Sequence, residues 1–307
     1  MGSTSNSVVV TIGVFDGVHA GHKYLLKQAK EVASKSQATL TVASFNPHPV
    51  SVLRPDDFQG LLTLPEYRTQ LLKLAGADRV EFIEFTKAVA KMSPDEFVET
   101  ILLDQLNASS IVVGENFRFG VNASGDVETF KILSGKFGFQ LSIVKLVGDR
   151  DTWSSTRIRN QLMAGQVSIA REILGRPHRL TGTVVHGDHR GRELGYPTAN
   201  LEISNNLLIP ADGVYSGLVH TADEVYPAAI SIGTNPTFDD VLNRRVEAYV
   251  LDRTDLDLYG QEISIDFIDF VRGMEKFKGI EDLVSQMAKD VENTRIHLND
   301  FLDNPTN

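Results

Sequence analysis

The 307-residue sequence predicts an α/β domain built on a parallel sheet, followed by an antiparallel β-barrel that carries a C-terminal helix. Three observations predict this. Up to about residue 175, buried-type strands alternate with helical patterns, the order that generates parallel sheets. Beyond that point, short strands follow one another without crossover helices, separated by Gly, Pro, Asn and Asp clusters, as in a barrel. The chain is also long for one core and comfortable for two domains, expected at 1–176 and 177–307.

Val8–Ile12 reads as a buried strand, and Lys23–Ala33 places Leu25, Leu26, Ala29, Val32 and Ala33 at helical spacing. Thr39–Phe45, Arg79–Phe85, Ser110–Val113 and Gln140–Leu146 are the next strands of the sheet. Ser93-Pro94-Asp95-Glu96 is a capping-box helix start with proline at the first position, leading into the apolar face Phe97, Val98, Ile101 and Leu102. Val167–Leu174 makes one more helix, stopped by Gly175 and by Pro177. The barrel strands are Leu180–His186, Val214–His220, Val225–Ile232, Arg245–Leu251 and Glu262–Phe270. A last helix, Ile280–Leu302, packs Leu283, Met287, Val291, Ile296 and Leu298 on the barrel.

Composition excludes several classes. Hydrophobic content of 42% and charged content of 23% are those of a soluble globular protein, with no apolar run near membrane-spanning length. Met1–Ser7 lacks the basic and apolar regions of a secretory signal, so a cytoplasmic protein is expected. The absence of cysteine removes disulfides, thiolate catalysis and cysteine-ligated zinc, so any metal must use oxygen or histidine ligands. A net charge of −10 argues against a nucleic-acid binder, because phosphate-backbone affinity rests on clustered Lys and Arg. Small-molecule partners are expected, no membrane, and a homo-oligomer is left open.

The most informative stretch is Gly13-Val14-Phe15-Asp16-Gly17-Val18-His19-Ala20-Gly21-His22, where a strand hands over to a helix. A helix N-terminus offers free N–H groups and a dipole that attract anions, and histidines spaced i, i+3 share one face. A bare His-x-x-His pair is a weak signal, whereas the decapeptide is a strong one. It resembles the GxFDGxHxGH signature of the flavin branch of the HxGH nucleotidylyltransferases. No G-x-x-x-x-G-K-[ST] occurs, so a P-loop is not the route to ATP. The resemblance implies a Rossmann-like fold in which His19 and His22 contact the phosphates of ATP while Gly13 and Gly17 keep the backbone clear. Phe15 belongs to the same binding set, and Asp16 orients the loop. It also brings in Asn46 and His48 of Phe45-Asn46-Pro47-His48-Pro49 and Asn116 of Gly114–Gly120, both at strand ends. Read alone, the first of these is a proline-rigid turn with a solvated histidine. Asn116 departs from the aspartate common in the family and keeps a hydrogen-bonding role. Ser154-Ser155-Thr156-Arg157-Ile158-Arg159 opens a helix, where Ser-Ser-Thr alone is an ordinary N-cap. The segment resembles the family's SSTxxR motif, which implies that Ser154, Ser155, Thr156 and Arg159 bind the β- and γ-phosphates.

A second signature follows in Gly187-Asp188-His189-Arg190-Gly191-Arg192-Glu193-Leu194-Gly195-Tyr196-Pro197-Thr198-Ala199-Asn200, which resembles the glycine-rich loop and PTAN motif of riboflavin kinases. It puts Gly187, Arg190, Gly191, Gly195 and Pro197 in the binding set. Mg²⁺ prefers a few oxygens plus ATP phosphates, and the Thr198 hydroxyl and Asn200 carbonyl supply two of them two residues apart. Riboflavin offers a neutral hydroxyl, so its phosphorylation profits from a general base. Glu247 matches the family's catalytic glutamate; by pattern alone it would equally be a rim glutamate. The two signatures together resemble the bifunctional riboflavin kinase/FAD synthetase family, over nearly the whole chain. The implied activity is ATP- and Mg²⁺-dependent phosphorylation of riboflavin to FMN, then adenylylation of FMN to FAD with release of pyrophosphate. The rivals are a monofunctional kinase, which a disrupted HxGH or SSTxxR would mark, and a flavin sensor without turnover.

Overall fold

The structure is a computed structural model that describes residues 7–145, 153–187, 194–204, 206–234 and 244–303. It divides into two compact units, Met1–Ser154 and Ser155–Asn307. Leu146 and residues 188–193, which include Arg190 and Gly191 and on which sequence expectations fall, lie outside the described residues.

In the first unit, β1 (Val8–Ile12), β2 (Thr39–Asn46), β3 (Arg79–Glu84), β4 (Ser110–Gly114) and β5 (Gln140–Val144) form a parallel sheet in the order β3-β2-β1-β4-β5. The chain therefore leaves β1 to one side and returns to pair β4 on the other, which makes β1/β4 the point where strand order reverses. In such sheets ligands gather there, beyond the carboxyl ends of the strands. Alternation along β1 explains why its residues are apolar on both faces. Val9 packs with α1 (Ala20–Lys35) and α3 (Pro65–Leu74), through Leu25, Leu26, Ala29 and Leu72. Val10 and Ile12 pack on the opposite side with Phe97, Val98, Ile101 and Leu102, and with Phe130 and Leu133 of Val127–Phe137. The capping box holds: Ser93 Oγ accepts from the Glu96 N–H at 3.2 Å while Glu96 Oε2 accepts from the Ser93 N–H at 2.8 Å. α4 (Pro94–Glu96) then continues as a π-wound segment, Phe97–Gln105. A short α2 (Pro49–Leu53) follows β2; Val127–Phe137 is α5.

The second unit opens with α6 (Ser155–Met163) and α7 (Val167–Leu174), and Gly175 ends α7 in the left-handed conformation at φ 66°. The division between compact units thus falls before α6, whereas the expected domain boundary falls after α7, because α7 packs on β6 and β11. The barrel is closed in the order β10-β7-β6-β11-β8-β9. Its strands are β6 (His178–Val185), β7 (Ala199–Ile203), β8 (Gly213–His220), β9 (Val225–Thr234), β10 (Arg244–Val250) and β11 (Glu262–Arg272), all antiparallel to their neighbours. Leu180, Val184, Val219, Ile230, Val246, Ala248, Ile265 and Phe267 fill it. α8 (Ile280–Asp303) packs on β8, β9 and β11. Its buried residues are Asp290, Thr294 and Leu298, whereas Ile296, expected on that face, is 49% exposed. The helix turns its seam through Asp290 and Thr294, polar positions that a hydrophobic pattern cannot mark.

Asp266 of β11 links three barrel strands. Arg179 of β6 donates from Nε and Nη2 to its two carboxylate oxygens, each at 2.6 Å, and His220 Nε2 of β8 lies 2.8 Å from Oδ2. Burial by itself would push this carboxyl up; the hydrogen bonds from Arg179 and His220 hold it below the ordinary aspartate range. A carboxyl depressed by folding stabilises the fold above its unfolded pKa, and that contribution is lost as pH falls through the folded value. We therefore expect Asp266→Asn to destabilise the barrel by about 1–3 kcal/mol at neutral pH. The gap to the native protein should close as the solution is acidified, and pH-dependent denaturant melts would show a pH-independent gap if the carboxylate were not responsible.

Candidate active sites

The loop from β1 to α1 is built around residues with unusual backbone. Phe15 (φ 51°), Gly17 (φ 85°) and Val18 (φ 43°) are left-handed, a conformation that is strained for a β-branched valine. Strain of this kind persists only where surrounding contacts impose it, and here a buried polar cluster does. Asp16 is fully buried, and its carboxylate accepts the N–H groups of Leu62 and Thr63 and the Thr63 hydroxyl at 2.9–3.1 Å. Arg68 of α3 donates Nη2 to Asp16 Oδ1 at 3.2 Å. Asp16 thus points into protein and orients the loop. Phe15, 1% exposed, also faces inward, its ring edge-on to His22 at 5.2 Å.

His19 is the N-cap of α1 and His22 sits in its first turn. Their rings stack with centroids 3.6 Å apart and 21° between planes. No acidic residue lies in that first turn, where one would offset the positive end of the helix dipole. Gly21 leaves room for the stack, since a Cβ there would come within 3.2 Å of the His19 ring. Burial first, then the neighbouring His19 and Arg68, hold the His22 imidazole well below the ordinary histidine range. Its Nδ1 is buried without a hydrogen-bond partner among the described residues.

Two more predicted segments fall at the same edge of the sheet. Asn46 ends β2 and is exposed, a cis Asn46–Pro47 bond follows, and His48 caps α2 by accepting the Val50 N–H on Nδ1 at 3.1 Å. Asn116 lies exposed in the loop that leaves β4. That loop is anchored behind it by stacked Phe117, Phe119 and Phe130 and by an Arg118–Asp126 ion pair at 3.1 Å. The ends of β1, β2 and β4 thus bring His19, His22, Asn46, His48 and Asn116 to one side of the first unit. Ser154 precedes α6, Ser155 and Thr156 start it, and Arg159 within it is 9% exposed.

In the second unit, antiparallel pairing sets Glu247 of β10 opposite both Asn200 of β7 and Ser231 of β9. Directly opposed residues share a face. Val246 and Ala248 point into the barrel, so Glu247 points out of it, and Thr198 Oγ1 donates to Glu247 Oε2 at 3.2 Å. The carboxylate enters a cavity of about 190 Å³ between this outer wall and α8, lined also by Tyr249, Arg272, Met274, Phe277 and Met287. Thr198 and Pro197 line a second, smaller cavity with Arg253 and Tyr259, so Thr198 stands between the two. Gly187 is packed against Asn200 so closely that a Cβ would overlap its carboxamide. Tyr196 meets Tyr249 edge-on at 5.2 Å, and Gly195 is left-handed at φ 86°. Small uncharged oxygens beside one carboxylate are a donor set suited to Mg²⁺ shared with phosphates.

Sequence reasoning missed most of the large cavity. Leu283, Met287 and Val291 read as core-packing residues, yet they line the cavity opposite Glu247. An apolar i, i+4, i+8 stripe is the same whether it meets a barrel wall or a ligand. Arg272 is held across the cavity by Asp290 of α8, its Nε and Nη2 donating at 2.8 and 2.7 Å. Two polar residues 18 apart in the chain carry no such signal.

FAD synthetase as a family matches residues 2–157, and riboflavin kinase matches residues 174–298. The chain is similar to the bifunctional riboflavin kinase/FMN adenylyltransferase of Listeria monocytogenes, 36% identical over 95% of this chain and 93% of the relative. It is similar also to that of Bacillus subtilis, at 34% identity over 92% and 90%. A crystal structure from Streptococcus pneumoniae described as a macrolide-efflux protein superposes with a TM-score of 0.86 at 36% identity, covering 96% of this chain and 95% of that one. No helix among the described residues is long and apolar enough to cross a membrane.

The environment of His22 has a measurable consequence. A histidine depressed by folding binds its proton less readily than the unfolded chain does, so its contribution to stability declines as pH falls below the ordinary histidine value. In a histidine NMR titration the His22 ring should remain neutral at about pH 6, where an ordinary histidine is mostly protonated. A midpoint at or above the ordinary value would contradict the buried, cation-flanked setting described here.

Proposed function

The chain belongs to the bifunctional riboflavin kinase/FMN adenylyltransferase family, and from that premise we propose how its own residues divide the two phosphoryl transfers. Riboflavin kinase and FMN adenylyltransferase activities reside in one chain, with ATP as the shared co-substrate. One observation carries the assignment of the adenylyl step: the stacked His19–His22 pair at an N-terminus of α1 free of acidic residues.

In that step, assigned to residues 1–176, a phosphate oxygen of FMN attacks the α-phosphorus of ATP. A new P–O–P linkage forms, the α–β bridge breaks, and pyrophosphate leaves with the bond electrons. The nucleophile is already anionic, so the protein's task is to stabilise charge on the α-phosphoryl group. His19 and His22 do this as hydrogen-bond donors, aided by the first N–H groups of α1. Asn46, His48 and Asn116 add polar contacts from the neighbouring strand ends. Ser154, Ser155, Thr156 and Arg159 hold the leaving phosphates.

In the kinase step, assigned to residues 177–307, Glu247 accepts the proton of the riboflavin primary hydroxyl as its oxygen attacks the γ-phosphorus, and ADP leaves. The Thr198 hydroxyl fixes the orientation of that carboxylate. The apolar cavity beside Glu247 receives the flavin, and the smaller cavity on the other side of Thr198 receives part of the nucleotide. Bound Mg²⁺ supplies charge neutralisation on the phosphates; the oxygens of Thr198 and Asn200 would hold it, and the carboxamide of Asn200 lies where any side chain at position 187 would overlap it. Gly195 and Pro197 shape the approach to that site, with Arg190 and Gly191 as further members of the phosphate loop. The same reading assigns the protein to the cytoplasm, where ATP and Mg²⁺ are supplied.

The two sites predict opposite defects. His19→Ala and His22→Ala should each lower FMN adenylylation on the order of a hundredfold or more while FMN formation continues. Glu247→Gln, which keeps the shape but accepts no proton, should abolish riboflavin phosphorylation and leave FAD formation from supplied FMN intact. Chromatographic separation of the flavins reads both, and near-normal FAD production by the histidine variants would remove the HxGH assignment.

A further inference from the structure

Arg68 lies outside every motif singled out in the sequence, yet it is 1% exposed and spends its whole guanidinium on the walls of the first site. Its Nη1 donates to Val14 O and Ser44 Oγ at 3.2 Å and to Phe45 O at 3.4 Å. Its Nη2 donates to Asp16 Oδ1 at 3.2 Å and Thr63 O at 3.0 Å, and its Nε to Thr63 Oγ1 at 3.3 Å. Ser44 in turn donates to Val14 O at 2.8 Å, and Thr63 Oγ1 accepts the Gly17 N–H at 3.1 Å. One planar fork therefore joins the loop of residues 13–22, the end of β2 just before Asn46 and His48, and the 61–63 turn before α3. We propose that Arg68 is a positioning residue for adenylyl transfer, clamping the His19–His22 loop and the Asn46–His48 segment in one fixed relative geometry through Asp16, Thr63 and Ser44. This rests on the reading that the two histidines serve that reaction.

The physical argument turns on geometry as well as charge. The planar guanidinium of Arg68 meets six oxygen acceptors on three separate segments, which a lysine ammonium on its flexible stem cannot do. Left-handed Phe15 and Val18 would relax if the cluster loosened, and His19 and His22 follow directly in the chain. Displacement of phosphate-binding groups by about 1 Å typically costs on the order of a hundredfold in rate. The positive charge also lies near His22 and helps to keep that ring neutral.

The test uses full-length Arg68→Lys, Leu133→Ala and His22→Ala proteins, with riboflavin phosphorylation as the internal standard for folded enzyme. Leu133 is buried in α5 on the opposite face of the sheet, so its truncation lowers the melting temperature of the same unit without touching the cluster. Arg68→Lys should lower kcat for FMN adenylylation roughly ten- to a hundredfold, with KM for ATP changed less than about threefold and kinase activity kept. Leu133→Ala, assayed below its melting temperature, should keep its kcat. If Arg68→Lys is not recovered folded, Thr63→Val, which deletes the hydroxyl shared by Gly17, Asp16 and Arg68, should show the same split. Wild-type kcat in Arg68→Lys, or an equal kcat loss in Leu133→Ala, overturns the proposal while a His22→Ala defect leaves the reading of the site in place. Full adenylylation by His22→Ala overturns both.

Discussion

The buried ion pair between Asp16 and Arg68 is the constraint on which the first unit depends. With exposures of 0% and 1%, neither charge can be left alone: a buried charge without its partner is far more costly than the pair is stabilising. Here every neighbouring polar group is drawn in. Two backbone N–H groups, three carbonyls and two hydroxyls complete the shells of both ions. The result is a loop that cannot relax its left-handed residues without exposing a charge to an apolar interior. In the proposed adenylyl step, histidines held by such a loop would meet a phosphate with their rings already in place, so little reorganisation would remain for the moment of reaction.

The second unit solves its problem with strand parity. A closed barrel has no free edge and only two faces, an interior filled by Val246, Ala248 and Ile230 and an exterior available to ligands. Glu247 stands on the exterior, and α8 roofs it at a distance that leaves a cavity lined by apolar side chains. The Arg272–Asp290 pair ties β11 to that helix. The Glu247 carboxylate accepts from Thr198 and faces a cavity wall that is largely apolar apart from the Arg272–Asp290 pair.

Much of this was legible in the sequence. Strand alternation with helices announced the parallel sheet, and Val8–Ile12 and Ser110–Val113, buried on both faces, read as mostly apolar runs, broken only by Thr11 and Ser110, because they are central strands. The HxGH and PTAN segments were visible because each is a run of fixed residue types at fixed spacing, the first carried by its glycines and histidines and the second by Pro197-Thr198-Ala199-Asn200. What stayed hidden was long-range polar packing. Nothing local distinguishes Arg68 in Pro65–Leu74 from any arginine on a helix surface, and nothing in the periodicity of α8 marks Asp290 as buried. The cavity was hidden for the opposite reason, since Leu283 and Met287 looked like ordinary core. Periodicity reports which side of an element is apolar, not what fills the space in front of it.

The alternation in Arg244–Val250 also governs how this protein can change over time. Even and odd positions of that strand answer to different demands, one set to interior packing and the other to the chamber under α8. Substitutions can accordingly be sampled one set at a time, and the pocket can drift in shape while the interior stays as it is. Insertion or deletion of a single codon has no such freedom, because it would exchange the two sets at a stroke and bring Glu247 into the hydrocarbon interior. Length in this strand should be inherited far more strictly than composition.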